Sequence, residues 1–119
     1  VMGGKAMGVT ELRPLSGFYS HEAKYTDGKT EHLCPAPISD SLAQNCMDIA
    51  ERAHIALGCR GVSRSDFRYD PTTERLVILE TNTQPGMAPL SLVPEQARHI
   101  GMSFEELVTW MVENAECDS

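Results

Sequence analysis

Hydrophobic and polar positions divide the chain into short segments with two different periods. The run LVILET, Leu76 to Thr81, is apolar and rich in strand-forming residues, which predicts a β-strand. Residues 60–69 predict a partner strand, and DPTTE, Asp70 to Glu74, predicts the turn between the two. Residues 7–13 predict a weaker strand that Pro14 ends. We therefore expect antiparallel pairing in at least one hairpin.

The longest helical period follows the segment CPAP. This helix is predicted to begin near Ser39 or Asp40, both favourable N-caps, and to end at Gly58. Its predicted core face consists of Leu42, Cys46, Ile49, Ala50, Ala53 and Leu57. His54 and His99 are expected on helix surfaces.

Two shorter helices are predicted in the last quarter of the sequence. One runs from Pro94, near its first position, to Ile100. The other begins at Ser103, because Ser103-x-x-Glu106 forms a capping box. The apolar stripe of this last helix consists of Phe104, Leu107, Val108, Met111 and Val112. Strands and helices together predict an α+β fold, with helices packed on an antiparallel sheet.

Size and charge exclude several classes of function. At 119 residues with 41% hydrophobic content, the chain is one domain with a core of ordinary size. Its net charge of −7 argues against a general nucleic-acid surface. No apolar run approaches the roughly 20 residues that span a bilayer, so we expect no membrane partner.

The cysteines and the first residues bear on location and completeness. The cysteines are Cys34, Cys46, Cys59 and Cys117. They form no CxxC pair, which favours reduced thiols in a cytoplasmic protein. The opening VMGGKAMGVTEL has no initiator methionine and no leader pattern, so we expect a fragment of a longer chain.

An acidic cluster is predicted where the central hairpin ends. Pairing the strands about their turn brings Asp66 opposite Glu80, and Asn82 shares the face of Glu80. Two carboxylates and an amide offer the oxygen ligands that Mg²⁺ prefers, with phosphate or water completing the shell. The alternative is a solvated strand edge, with Asn82 capping the turn before Pro85. Facing like charges are costly without a cation between them, which favours the metal site.

Three other side chains have both a structural and a functional interpretation. Arg64 lies on the face of Asp66, where it would form a salt bridge with Glu80 or hold a substrate oxygen. Lys24, in a long polar loop at residues 16–31, would be solvated or would reach a phosphate. Ser91 would cap the following helix or contact a substrate. The histidines have no convincing partner at metal-ligand spacing.

Four blocks of sequence resemble one known family. They are EAKYTDGKTEHLCPAP, GCRGVSRSDFRYD, LETNTQPGM and SLVPEQARHIGMSFEELV. In order and spacing they are similar to the last part of the ATP-grasp domain of D-alanine–D-alanine ligases, over nearly the whole chain. The resemblance implies ATP-dependent joining of two D-alanines through a D-alanyl phosphate, for peptidoglycan precursors. It also implies ATP as co-substrate, Mg²⁺ or Mn²⁺ as cofactor, and a homodimeric parent enzyme.

The resemblance also implies roles for individual residues. Asp66, Glu80 and Asn82 match the metal ligands. Arg64 and the backbone N–H of Gly86 match groups that stabilise the tetrahedral intermediate. Ser91 and Leu92 match positions that meet the second D-alanine. Lys24 and Tyr25 match residues of a mobile ω-loop, residues 16–31, where Lys24 contacts the transferred phosphate.

The sequence departs from the family in two respects. His21 stands where some members have a tyrosine, which bears on loop closure. The amino-terminal domain and the first ATP-grasp lobe are absent from these residues, so we expect the isolated chain to be inactive. Two alternatives remain open: an ATP-grasp ligase for a different carboxylate and amine, and a non-enzymatic acidic domain that binds divalent metal.

Overall fold

The computed structural model describes residues 1–14 and 30–117. The predictions for Lys24, Tyr25 and His21, and for residues 16–29 of the predicted ω-loop, therefore lie outside the described part of the chain. Thr30 and Glu31, predicted as the end of that loop, belong to a strand instead.

Four described strands form two separate antiparallel pairs. β1 (Glu11–Pro14) pairs with β2 (Thr30–Leu33), and β3 (Arg64–Asp70) pairs with β4 (Arg75–Asn82). The helices are α1 (Asp40–Ala56), α2 (Leu92–His99) and α3 (Phe104–Glu113). The α+β prediction is confirmed, with two small sheets in place of one. Among these helices, none combines the length and the apolar character that crossing a membrane requires.

Helix α1 begins and ends where its caps predict. The Ser39 hydroxyl accepts a hydrogen bond from the Leu42 N–H at 3.2 Å, and Gly58 adopts a positive φ of 67° after the last turn. The prediction for Leu57 was wrong, since 65% of this C-cap residue is exposed. Leu57 follows the last helical residue, so the helical period no longer decides which way its side chain faces.

One buried cluster joins the segments on either side of the central hairpin to the C-terminal helices. Its buried members are Val62, Val93, Ala97 and Leu107, and the partly buried residues packed on them are Met2, Met7, Met87, Met102, Trp110 and Met111. Leu107 and Ala97 are completely buried. Truncating Leu107 to alanine would cost about 2–5 kcal/mol, because the cavity could collapse only partly.

The short helices differ from their predicted extent and burial. Helix α2 begins at Leu92, so Pro94 is its third residue rather than its first. In α3 the capping box is present, but only part of the predicted apolar stripe is covered. Phe104, Val108 and Val112 are exposed, although they share the stripe with buried Leu107.

Candidate functional site

The end of the β3–β4 hairpin brings the predicted acidic residues together. In the antiparallel register Asp66 pairs with Glu80, and Arg64 pairs with Asn82. Directly opposed residues of an antiparallel pair project to the same face, and so do residues two apart on one strand. All four side chains therefore share one face of the hairpin, and the predicted facing of Asp66 and Glu80 is confirmed.

A guanidinium offsets the two carboxylates. Arg64 donates from Nε to Asp66 Oδ1 at 2.7 Å and from Nη2 to Asp66 Oδ2 at 3.2 Å. Its Nη2 lies 3.9 Å from Glu80 Oε1. The expected salt bridge with Glu80 is thus the longer of two contacts, and the two-point bond goes to Asp66. Glu80 keeps 58% of its side chain exposed, so its carboxylate can still take another partner.

A β-bulge adjoins this cluster. Asp66 pairs with Glu80, but the next residue, Phe67, pairs with Ile78, so Leu79 is the extra residue on β4. A bulge bends its strand and changes the direction of neighbouring side chains. The bulge therefore bends the hairpin beside the point where the charged residues meet.

The strand then turns through an amide-capped bend. Asn82 Oδ1 accepts a hydrogen bond from the Gln84 N–H at 2.9 Å. This is the turn-capping contact considered from sequence. An amide oxygen has a second lone pair, so capping leaves Asn82 able to bind another group.

Gly86 and Ser91 lie against each other at the end of this bend. A Cβ built on Gly86 would lie 3.1 Å from Ser91 Oγ, tighter than most Cβ contacts. A side chain here would require Ser91 to shift by a few tenths of an ångström, so glycine fits this site for space rather than for a left-handed backbone. Its N–H has no acceptor within the described part of the chain.

Ser91 is the N-cap of α2, but its side chain makes no capping bond. In α1 and α3 the N-cap serine accepts from the N–H of the third helical residue, Leu42 or Glu106. In α2 the third residue is Pro94, which has no N–H to donate. Of the two interpretations of Ser91, the capping bond is absent, and its hydroxyl stays available beside the unbonded N–H groups of the first turn.

The buried cluster holds these site residues in place relative to one another. Val62 precedes Arg64 by two residues, Met87 follows Gly86, and Val93 follows Leu92. All three apolar residues belong to the same cluster. The polar site and the core are therefore built from the same chain segments.

The donor set fits a hard divalent cation. Asp66, Glu80 and Asn82 supply three oxygen-bearing side chains on one face. Within residues 1–14 and 30–117, no three or more His, Cys, Asp or Glu side chains cluster at metal-binding distance. Two carboxylates and one amide suit Mg²⁺, which keeps part of its shell for water and phosphate, better than a closed structural metal.

The opposite side of β3 serves the fold. Ser63 is completely buried, and its hydroxyl lies 2.7 Å from His54 Nδ1. Ser65 and Thr81 join the strands through their hydroxyls at 2.9 Å. His54 was predicted on the surface of α1, which was wrong: only 4% is exposed, and burial lowers its pKa below the ordinary 6.5. Its four-residue spacing from buried Ala50 is the signal that sequence reasoning missed.

The remaining predictions have simpler outcomes. The four cysteines are free thiols, as expected. His99 is exposed at the end of α2, as expected. Lys24 and Tyr25 lie outside the described residues, so their predicted roles stay predictions.

Comparison with solved structures is consistent with this fold. D-alanine–D-alanine ligase from Bacillus anthracis, in a crystal structure complexed with ATP, superposes with a TM-score of 0.77 at 24% identity. The match covers 96% of this chain and 37% of that one. A second crystal structure of the B. anthracis enzyme gives a TM-score of 0.78.

Sequence comparison is more specific. The D-alanine–D-alanine ligase of Novosphingobium aromaticivorans is 57% identical over 121 residues, which cover 100% of this chain and 39% of the relative. The enzyme of Sphingopyxis alaskensis is 58% identical over 97% of this chain and 38% of its own length. The chain thus spans less than two fifths of these relatives. The family described as D-ala D-ala ligase C-terminus matches residues 1–113, and the chain belongs to that family.

Proposed function

We propose that residues 1–119 are the C-terminal part of the ATP-grasp catalytic domain of a cytoplasmic D-alanine–D-alanine ligase. The reaction would use ATP to convert the carboxylate of one D-alanine to a D-alanyl phosphate, which the amine of a second D-alanine attacks. The parent enzyme would be a homodimer. The relatives named above, which carry this enzyme's name, support the proposal.

The observation that carries the proposal is the Arg64–Asp66–Glu80 cluster. A two-point contact at 2.7 and 3.2 Å keeps Arg64 against Asp66, while Glu80 stays mostly exposed. Asp66, Glu80 and Asn82 would hold Mg²⁺ or Mn²⁺. Such an ion would supply positive charge to offset the negative charge of the ATP phosphates.

Arg64 and Gly86 would act on the substrate carbonyl. A guanidinium carries a fixed positive charge and several donors, suited to an oxyanion that develops during acyl transfer. The Gly86 N–H has no acceptor within the described residues, and the absent side chain lets a substrate approach the backbone. Together they would stabilise the tetrahedral intermediate.

Ser91 and Leu92 would bind the second D-alanine. The carboxylate of an amino acid is an anion, and the first turn of a helix offers unbonded N–H groups to anions. Ser91 adds a hydroxyl that Pro94 leaves without its capping partner. Lys24 would contact the transferred phosphate and Tyr25 would help position the loop, residues 16–31, that carries both.

A chimeric ligase tests this function. In the N. aromaticivorans enzyme, the region that aligns with this chain would be replaced by these 119 residues; we call this protein the ligase chimera. We expect D-alanine-dependent ADP release and D-alanyl-D-alanine, detected by mass spectrometry, at a rate within about tenfold of the host enzyme. The 57% identity favours compatible packing with the rest of the enzyme.

Two controls make the result decisive. The host enzyme without the replaced region and the isolated 119-residue chain should both lack activity, since phosphoryl transfer needs ATP positioned from both lobes. A folded chimera that releases ADP faster with another amino acid would indicate a different ATP-grasp ligase. A folded chimera without turnover, but with tight ATP-independent Ca²⁺ binding by the isolated chain, would favour a metal-binding domain.

A further inference from the structure

We propose that His32 and Glu95 are positioning residues that hold the β1–β2 hairpin on α2. The effect on catalysis rests on the proposed function, because Lys24 lies between β1 and β2 in the sequence. The docking itself involves only described residues: Thr10, His32, Glu95 and Gln96.

The first contact joins the second strand of the hairpin to the helix. His32 Nδ1 lies 3.2 Å from Glu95 Oε2, and about three quarters of each side chain is buried. When the imidazole is protonated this contact is an ion pair. Because the pair is partly buried, salt and solvent screen it less than they screen a surface ion pair. The contact should therefore constrain the hairpin more strongly than an exposed salt bridge would.

A second contact joins the start of the other strand to the next residue of the helix. Gln96 Nε2 donates to Thr10 Oγ1 at 3.0 Å, and Thr10 directly precedes β1. Two consecutive residues of α2 thus hold both sides of the hairpin. Two attachment points fix an orientation, whereas one would leave rotation about the contact.

The second carboxylate oxygen of Glu95 is buried without a hydrogen bond, so holding Glu95 in this position costs free energy. Glu95 Oε1 is shielded from water and has no hydrogen-bond partner, a condition found for no other buried side-chain atom in residues 1–14 and 30–117. A buried carboxylate oxygen without a donor is unfavourable, and native proteins keep few of them. The described partner of this carboxylate is His32, whose Nδ1 lies 3.2 Å from the other oxygen, Oε2.

The helix is the fixed partner in this contact. Val93, Pro94 and Ala97 of α2 are buried in or beside the core cluster, and Ala97 is completely buried. The four-residue strands β1 and β2 contribute no residue to that cluster. The contacts therefore orient the hairpin relative to α2, and with it Pro14 and Thr30, the described residues on either side of residues 15–29.

This arrangement predicts a specific kinetic effect. Loss of the His32–Glu95 contact should impair the step in which Lys24 meets the transferred phosphate. It should leave the second D-alanine site intact, because Ser91 is held by the core through α2. In the ligase chimera, His32→Ala and Glu95→Ala should each lower kcat about tenfold and change the KM for D-alanine less than about twofold.

Matched variants separate positioning from general destabilisation. Glu105→Gln removes the same charge from the first turn of α3, where Glu105 is exposed, and should leave kcat unchanged. His32→Ala combined with Lys24→Ala should be no slower than Lys24→Ala alone, since both act through one group. The double variant His32→Gln, Glu95→Gln should recover much of kcat, because two amides can form a neutral hydrogen bond.

Hydrogen exchange on the 119-residue chain tests the docking without any activity. Amides of β1 and β2 should lose protection in His32→Ala and keep it in Glu105→Gln, while core amides near Ala97 keep theirs in both. An inactive unmodified chimera would refute the proposed function, and exchange alone would then decide the docking. Unchanged exchange in β1 and β2, or kcat values within about twofold in an active chimera, would overturn the inference.

Discussion

Two regions of this chain contain an N-cap serine and a glutamate, and the two pairs have opposite bonding. At the start of α3, Glu106 donates its N–H to the Ser103 hydroxyl at 3.1 Å, and Ser103 donates its own N–H to Glu106 Oε1 at 3.0 Å. In the candidate site, Ser91 at the start of α2 makes no capping bond, and Glu80 of β4 has only the 3.9 Å contact with Arg64 among the ion pairs of the described residues.

The difference has a local cause and a functional consequence. Glutamate at the third position of α3 completes the capping box, whereas proline at the third position of α2 has no N–H to give. Polar groups that are bonded within the chain stabilise it. Polar groups that remain unbonded are available to a ligand. The two regions therefore supply matched variants, in which the same substitution should affect activity in one and stability in the other.

The largest expected effect is on the glutamates. In the ligase chimera, Glu80→Gln should lower kcat about a hundredfold to a thousandfold, because an amide cannot replace a carboxylate beside a divalent cation. Glu106→Gln should change kcat less than about twofold. Steady-state ADP release measures both, and circular dichroism checks that both variants are folded. Turnover of Glu80→Gln near that of the unmodified chimera would remove Glu80 from the site.

Substituting the two serines should have smaller effects, on the KM at Ser91 and on the free energy of unfolding at Ser103. Ser91→Ala should raise the KM for the second D-alanine about tenfold, the value of one hydrogen bond to a charged group. It should change the free energy of unfolding by less than about 0.5 kcal/mol, since no capping bond is lost. Ser103→Ala should cost about 1 kcal/mol and leave the KM unchanged. Urea denaturation and initial-rate kinetics measure the pair, and equal stability losses would contradict the comparison.

The smallest expected effect is a pH dependence of stability at the start of α3, where the capping box is complete. Hydrogen bonds from the N–H and then the hydroxyl of Ser103 lower the pKa of Glu106 below its ordinary 4.5. As pH falls, the unfolded chain binds the proton first, so this stabilisation is present above pH 4.5 and is lost as pH falls through the lower folded-state pKa. Glu106→Gln keeps the acceptor but cannot titrate, so its free energy of unfolding should vary less between about pH 5 and 3. Parallel curves for the two proteins would exclude this contribution.

Much of the fold followed from local signals. The DPTTE turn predicted the hairpin because its residues suit a tight reversal, and Asp70 accepts from the Thr72 N–H at 2.9 Å in that turn. Ser39 and Ser103 predicted helix starts because each cap bond closes within three residues. The facing of Asp66 and Glu80 followed from counting residues back from the turn.

Other features depended on partners far along the chain. His54 is buried against Ser63, which directly precedes β3 and whose hydroxyl lies 2.7 Å from the His54 Nδ1. The His32–Glu95 contact joins residues 63 positions apart. No period or cap within a segment carries information about such a partner.

The sequence by itself determined the β3–β4 hairpin, helices α1 and α3, and the convergence of Arg64, Asp66, Glu80 and Asn82, because period, cap and register act over a few residues. Tertiary structure alone decided which apolar residues are covered, that Ser91 lies against Gly86, and that the β1–β2 hairpin is attached to α2. These depend on how separate segments pack, and packing is settled by the whole set of contacts rather than by any one segment.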